Sequence, residues 1–469
     1  MPRIFEMAIE RKLLLYIIGF HATDAAYSPA AKIESARLFG NINSYAYYFV
    51  DLEVGRPVPQ KTSVIVDTGS NLVGFPCNGR RFHPTHLGNH LYPPFNLSNS
   101  QTAQWLPCVG HECNYGCTDN RCHYSMFYTE GSSITGEWFQ DFVQMGDLSQ
   151  NNPAVYAQLG CHEEEKKLFY TQRANGIMGF APSDIGGAPT ILTTLFKDNA
   201  HVNQDVFSMC LAAWGGRLNV GGYNASYHTG PIAWLPMSVG KYYSIALNSM
   251  SVAAVPGVSP PALVSAGQES FGPAMLDSGT TYVYFPEAVF ANLDRAIHAA
   301  CDSGACQAQR FDDECWKLNP GAVAIPSAFP EISMQFGASS LAWHPQAYLY
   351  QRGSTSIWCR AYASNRNSVQ TVLGASWMLQ REVIFDIQRR EAGFAEANCP
   401  SYRRGFDALD RKIEVLPAMG LPVDLTRVGF VCLAVAAVLS VLALRVAHLR
   451  SCSSETDNLA TREIDQEVE

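Results

Sequence analysis

One short pattern occurs twice in this chain and constrains its fold more than any other feature. The first copy is Ile65-Val66-Asp67-Thr68-Gly69-Ser70, followed later by Gly176-Ile177-Met178-Gly179. The second is Met275-Leu276-Asp277-Ser278-Gly279-Thr280, followed by Val372-Leu373-Gly374. In both, an apolar pair leads into Asp-[Thr/Ser]-Gly-[Ser/Thr], and an apolar-apolar-Gly partner comes roughly a hundred residues on. A lone Asp-Thr-Gly marks only a turn after a strand. Two copies with the same flanks and matching glycine-bearing partners mark a duplicated unit with pseudo-twofold halves.

The duplication has chemical content. Asp67 closes the apolar run Val64-Ile65-Val66, where a lone carboxylate is costly to bury. Gly69 and Gly279 permit tight turns in which backbone approaches backbone. The hydroxyls of Thr68, Ser70, Ser278 and Thr280, with nearby backbone N–H groups, are expected to hydrogen-bond the carboxylates and offset their desolvation. If the loops meet across the axis, Asp67 and Asp277 face each other, and close like charges hold one proton between them over a wide pH range. One acid then acts as base on a water molecule while the other polarises a peptide carbonyl. The expected reaction is amide hydrolysis with no covalent intermediate, no metal and no cofactor.

Around these loops the sequence reads as strand after strand. "SYAYYFVDLEVGRPVPQKTSVIVDTGS" alternates apolar and polar residues and breaks at Gly55-Arg56-Pro57, and "SITGEWFQDFVQMG", "GRLNVGGY" and "EVIFDIQRREAGFA" look similar. Helical stretches are few, chiefly "TILTTLFKDN" and "PEAVFANLDRAIHAAC". The fold class is therefore mainly β. At 469 residues, 47% of them apolar, the chain has enough material for two lobes. A net charge of −9 argues against a nucleic-acid partner.

The ends and the cysteines point to the secretory pathway. Arg3, Arg11 and Lys12 precede "LLLYIIGFHA", and Ala22, Ala25 and Ala26 follow, the order of a signal peptide; a buried N-terminal helix is the alternative. "VGFVCLAVAAVLSVLAL" carries no charge and is flanked by Arg427 and Arg445. At ~1.5 Å per residue it reaches roughly 25 Å, close to a thin bilayer core; a buried core helix is the alternative. Twelve of the 14 cysteines lie between Cys77 and Cys399, as expected of disulfides in an oxidising compartment. Cys108, Cys113, Cys117 and Cys122 lack the paired C-x₂-C spacing of a zinc knuckle and are read as bridges. Asn96-Leu97-Ser98 and Asn224-Ala225-Ser226 are glycosylation sequons.

At the paired Asp loops the chain resembles the pepsin-like aspartic peptidases, over roughly residues 43–400. A dyad sharing one proton is the established behaviour of that family. The resemblance implies a bilobal pepsin-like aspartic protease fold with pseudo-twofold lobes, to which the sequence adds a single C-terminal transmembrane helix. It divides the chain into signal peptide 1–26, a short pro or linker segment 27–42, N-terminal catalytic lobe 43–236, C-terminal catalytic lobe 237–400, lumenal stalk 401–427, transmembrane helix 428–447 and cytosolic tail 448–469. It makes Asp67 and Asp277 catalytic, and "FYTEGSSITGEWFQDFV" a flap hairpin bearing Tyr128 over the cleft. It pairs Cys315 with Cys359, and the membrane-anchored memapsins supply a likeness for Cys210 with Cys399.

"DTGSNLVGFPCNG", "YTEGS", "LGCHEEEKKLFYTQRANGIMGF" and the late apolar stretch further resemble the family's export peptidases of the endoplasmic reticulum. That branch cuts secreted proteins after a motif with Arg and Leu before the cleaved bond, holding the Arg with acidic residues. Here Glu130, beside Gly131 on the flap, takes one such place. One of Glu163, Glu164 and Glu165 takes the other, with Glu165 preferred; "HEEEKK" as a solvated charged turn is the alternative. Thr129 stands where that branch has Cys. The expectation is a single-pass type I protein of the endoplasmic reticulum membrane with a monomeric catalytic body, acting on polypeptides with a basic residue near the cleavage site. A broader secretory, vacuolar or memapsin-like peptidase, and an inactive binding protein of the same fold, are the other readings.

Overall fold

Each half of the chain folds its Asp loop in the same way. Strand Gln60–Asp67 runs parallel to Gly176–Gly179, which pairs Gly179 with Asp67, and Gly176–Gly179 is antiparallel to Val73–Asn78. Strand Pro273–Leu276 runs parallel to Thr371–Leu373, pairing Leu276 with Leu373, and Val283–Phe285 is antiparallel to Thr371–Leu373. The apolar-apolar-Gly segments are thus the strands that lock each Asp loop from the side. Their glycines are required by close approach. A Cβ on Gly179 would lie 2.5 Å from the Asn71 Cα, and one on Gly374 would lie 2.1 Å from the Tyr282 carbonyl oxygen.

This computed structural model describes residues 32–403 apart from 110–112, 147–151, 183–189, 254–260, 323–324, 354 and 367. The segments expected as signal peptide 1–26, most of the stalk 401–427, transmembrane helix 428–447 and tail 448–469, with Cys432 and Cys452, lie outside the described residues. Among the described residues no helix is long and apolar enough to cross a membrane.

The protein is mainly β. Among the described residues sixteen strands form one large sheet that includes the first Asp loop's strands, and the second lobe adds sheets of six, four and four strands. Second-lobe chain also returns to the large sheet. Strand Arg381–Asp386 pairs with Val206–Leu211 and with Glu391–Glu396, so the two halves share a β platform. Phe207 and Phe385 stack there at 4.4 Å, and Cys210 is bridged to Cys399 at its edge. Segment 27–42, expected as a pro or linker segment, contains strand Glu34–Asn41, paired with Gly216–Val220 on one side and Tyr47–Val54 on the other. Ala36 and Leu38 on it are fully buried, which makes it part of the body.

The first-lobe core packs Phe75, Phe95 and Phe139 ring against ring at 5.7–6.1 Å. The second buries Phe285, Trp343, Tyr348 and Tyr362. Helix Glu287–Asp302 covers that core with Val289, Leu293 and Ile297. All twelve cysteines between Cys77 and Cys399 are bridged: Cys77–Cys161, Cys108–Cys117, Cys113–Cys122, Cys210–Cys399, Cys301–Cys306 and Cys315–Cys359. The sulfurs of Cys108, Cys113 and Cys122 lie within 4.8 Å of one another, but in bridges they offer no thiolate to a metal.

Candidate active site

The two Asp loops meet so closely that each glycine lies under the other loop's carboxyl. A Cβ on Gly69 would lie 2.6 Å from Asp277 Oδ1, and one on Gly279 would lie 2.2 Å from Asp67 Oδ1. Only glycine leaves room for the facing acids. Oδ1 of Asp67 accepts a bond from the Gly69 N–H at 2.8 Å, and Oδ2 accepts one from the Ser70 hydroxyl. Asp277 has the matching set: Gly279 N–H and Thr280 N–H donate to Oδ1 at 3.0 and 3.2 Å, and the Thr280 hydroxyl to Oδ2 at 2.7 Å. Asp67 is buried. Burial first, and the neighbouring Asp277 second, raise its pKa well above the usual carboxylate range, against the lowering pull of Ser70 and Gly69. The pair therefore keeps a proton where isolated acids would have lost theirs.

Thr68 and Ser278 have a different job from the one their sequence position promised. Neither hydroxyl bonds a carboxylate. The Thr68 hydroxyl donates to the Leu276 carbonyl at 2.8 Å and accepts from the Ser278 N–H at 2.9 Å; the Ser278 hydroxyl donates to the Val66 carbonyl at 2.7 Å and accepts from the Thr68 N–H at 3.1 Å. Four buried bonds thus clamp one loop to the other and set the spacing of the acids. Thr68→Val keeps the shape but strands a carbonyl and an N–H away from water, so it is expected to cost roughly 2–4 kcal/mol in urea unfolding. An unchanged unfolding midpoint would show that the clamp carries no load.

A hairpin brings Tyr128 within the influence of Asp67. Strand Arg121–Phe127 pairs with Ser133–Met145, Tyr124 opposite Gly136 and Phe127 opposite Ser133. The tip closes with Tyr128 N–H to the Ser132 carbonyl at 2.9 Å and Gly131 N–H to the Tyr128 carbonyl at 2.8 Å. Tyr128 rests on Phe169, ring centroids 4.9 Å apart. Burial, then the charge of Asp67, push its phenol pKa up, as they would for a ring beside the dyad. Glu130 is exposed at the tip. Tyr284 of the second lobe has its phenol raised by burial and then by the Glu130 charge.

The preferred Glu165 is not available to a substrate. It is fully buried, with Oε1 on His162 Nδ1 at 2.7 Å and Oε2 on His90 Nε2 at 2.8 Å and the Gly88 N–H at 2.9 Å. Burial raises its pKa, but the hydrogen bonds of His162 and then His90 outweigh this and hold it at about 2. Glu164 is paired with Lys166 at 2.8 Å. Glu163 is half-buried and its carboxylate makes no ion pair among the described residues. The sequence reading missed His90 and His162, because three adjacent glutamates drew attention from the histidines that use one of them.

The eukaryotic aspartyl protease family matches residues 47–397. The chain is 30% identical over 426 residues to aspartic protease 5 of Toxoplasma gondii, covering 79% of this chain but 38% of that protein. It is 26% identical over 456 residues to plasmepsin V of Plasmodium falciparum, covering 78% and 73% respectively. Aspartic proteinase 36 of Arabidopsis thaliana is 27% identical over 400 residues, covering 78% and 79%. The chain thus spans well under half the length of the Toxoplasma relative.

Proposed function

Since the chain belongs to the eukaryotic aspartyl protease family, we propose that Asp67 and Asp277 are its catalytic pair and that it cleaves secreted or exported polypeptides after an Arg-x-Leu-type motif. The observation that carries the first part is the facing of the two carboxyls across interlocked loops. With one proton between them, the charged member takes a proton from a water molecule as that water attacks the scissile carbonyl. The neutral member donates its proton to the carbonyl oxygen, and collapse of the tetrahedral species returns a proton to the leaving nitrogen. Thr68, Gly69, Ser70, Ser278, Gly279 and Thr280 fix the pair, and Tyr128 and Gly131 shape the flap above it. The clamp and both carboxyl cradles are complete, which favours a working enzyme over a binding protein of the same fold.

Specificity rests on Glu130, whose exposed carboxylate on the flap suits a guanidinium entering beneath it. Glu163 is the one member of the neighbouring acidic triplet left to assist it. Likeness to plasmepsin V and aspartic protease 5 supports the export-motif reading. The apolar run 428–444 supports a type I anchor in the endoplasmic reticulum membrane, and the six bridges fit an oxidising lumen. The test is mass analysis of an Arg-x-Leu peptide after incubation with the purified protein. Cleavage on the C-terminal side of Leu is expected; cleavage elsewhere, or none, contradicts the specificity.

A further inference from the structure

We propose that Glu165, sealed behind the hairpin with His162 and His90, is a positioning residue that holds Tyr128 over the paired acids. This rests on reading the hairpin as the flap. Glu165 stands opposite Ile134, and the next residue, Lys166, stands opposite Ser133, where the hairpin returns from its tip. Its carboxylate gathers three separate pieces of chain. His162 comes from its own strand, Ala154–Lys166, while His90 and the Gly88 N–H come from the loop that follows the strand Val73–Asn78. The third piece is the turn after helix Leu168–Thr171, where His90 Nδ1 lies 3.0 Å from the Gln172 carbonyl. Both ring nitrogens of His90 therefore face oxygens of neighbouring chain segments. The loop is tied in again by the Glu165 N–H to the His86 carbonyl at 2.8 Å.

Two contacts carry this hub to the flap. The His162 ring stands edge-on to Phe169, centroids 6.3 Å apart at 90°, and Phe169 is the surface on which Tyr128 rests. At the base of the same helix the Leu168 N–H bonds the Ser132 hydroxyl at 3.2 Å, and Ser132 closes the flap turn. Tyr124, Glu163, Glu137 and Tyr128 also bear on this space, and Lys167 Nζ and Asp67 bear on the flap side of it. Glu165 is held ionised by its donors, so the network is a fixed brace. Removing one member of a buried charge network leaves its partners unsatisfied and free to shift.

The test is a double-mutant cycle on the full chain: wild type, Glu165→Gln, Tyr128→Ala and the pair, assayed for peptide cleavage well below the melting temperature of each. Glu165→Gln is expected to lower kcat about 10-fold with a smaller change in KM, and to speed hydrogen exchange at the Tyr128 and Gly131 amides while the Phe180 and Ala181 amides stay protected. In the Tyr128→Ala background the same change is expected to alter kcat less than about twofold. Equal effects in both backgrounds, or an unchanged kcat in Glu165→Gln, would overturn the positioning role while leaving the flap reading intact. A Tyr128→Ala variant with wild-type kcat would overturn the flap reading and the proposal with it. Should Glu165→Gln fail to fold, His90→Gln runs through the same cycle with the same expected coupling.

Discussion

Asp67→Asn and Asp277→Asn should each lower kcat by roughly 10³-fold or more, with the protein still folded. The two acids act as one unit, so the double variant should be scarcely worse than either single one. Asn keeps the size of the side chain and can still accept from Gly69 or Gly279, so the loops should hold. Stability supplies an internal control. The folded pKa of Asp67 is raised by burial and by Asp277 above its unfolded value. The folded protein thus keeps a proton that the unfolded chain has lost, and stability falls as pH rises from about 4 toward that raised value. Asp67→Asn removes the penalty and should be the more stable protein at neutral pH, by roughly 1–3 kcal/mol. An inactive variant that is also more stable cannot have lost activity by unfolding. A variant retaining a tenth of wild-type kcat or more would remove Asp67 from the mechanism.

The second large effect concerns the substrate. Replacing Arg by Ala at the third position before the cleaved bond should lower kcat/KM by roughly 10- to 100-fold. Glu130→Gln should lower the rate on the Arg peptide by a similar factor and leave the Ala peptide within about twofold. The reason is geometric. Glu130 sits two residues beyond Tyr128 at the flap tip and is exposed in the free protein, so its desolvation occurs only when a substrate lies beneath it. A guanidinium there compensates that cost with charge-assisted hydrogen bonds, and a methyl group does not. With Glu165 enclosed by two histidines, no other acid of the triplet but Glu163 can share the load. Equal rates on the two peptides would remove Glu130 from recognition and leave a peptidase of broader preference.

What could be read from the sequence was whatever local chemistry dictates. The Asp loops were legible because each position answers a nearby need: an apolar strand, an acid, a glycine that lets a second chain approach. The hairpin around Tyr128 was legible through the family resemblance, with only its returning strand visible as alternation in "SITGEWFQDFVQMG". The clamp of Thr68 and Ser278 was not, since each hydroxyl's partner lies in the other half of the chain. The inward member of Glu163, Glu164 and Glu165 was not either. Strand alternation decides such questions only in regular pairing, and here the register shifts between His162 and Glu164. Strand Glu34–Asn41 escaped because "ESARLFGN" is half polar, and only its place between two other strands makes it structural.

Asp67 and Asp277 should hold a single proton between them. Potentiometric titration of the wild type against the Asp67→Asn/Asp277→Asn variant tests it most directly, because every other titrating group cancels in the difference. Near pH 6 the wild type should carry one more bound proton per molecule than the variant, released only as the solution becomes alkaline. A difference of zero at that pH would mean two independently ionised acids, and the shared-proton hydrolysis would not survive it.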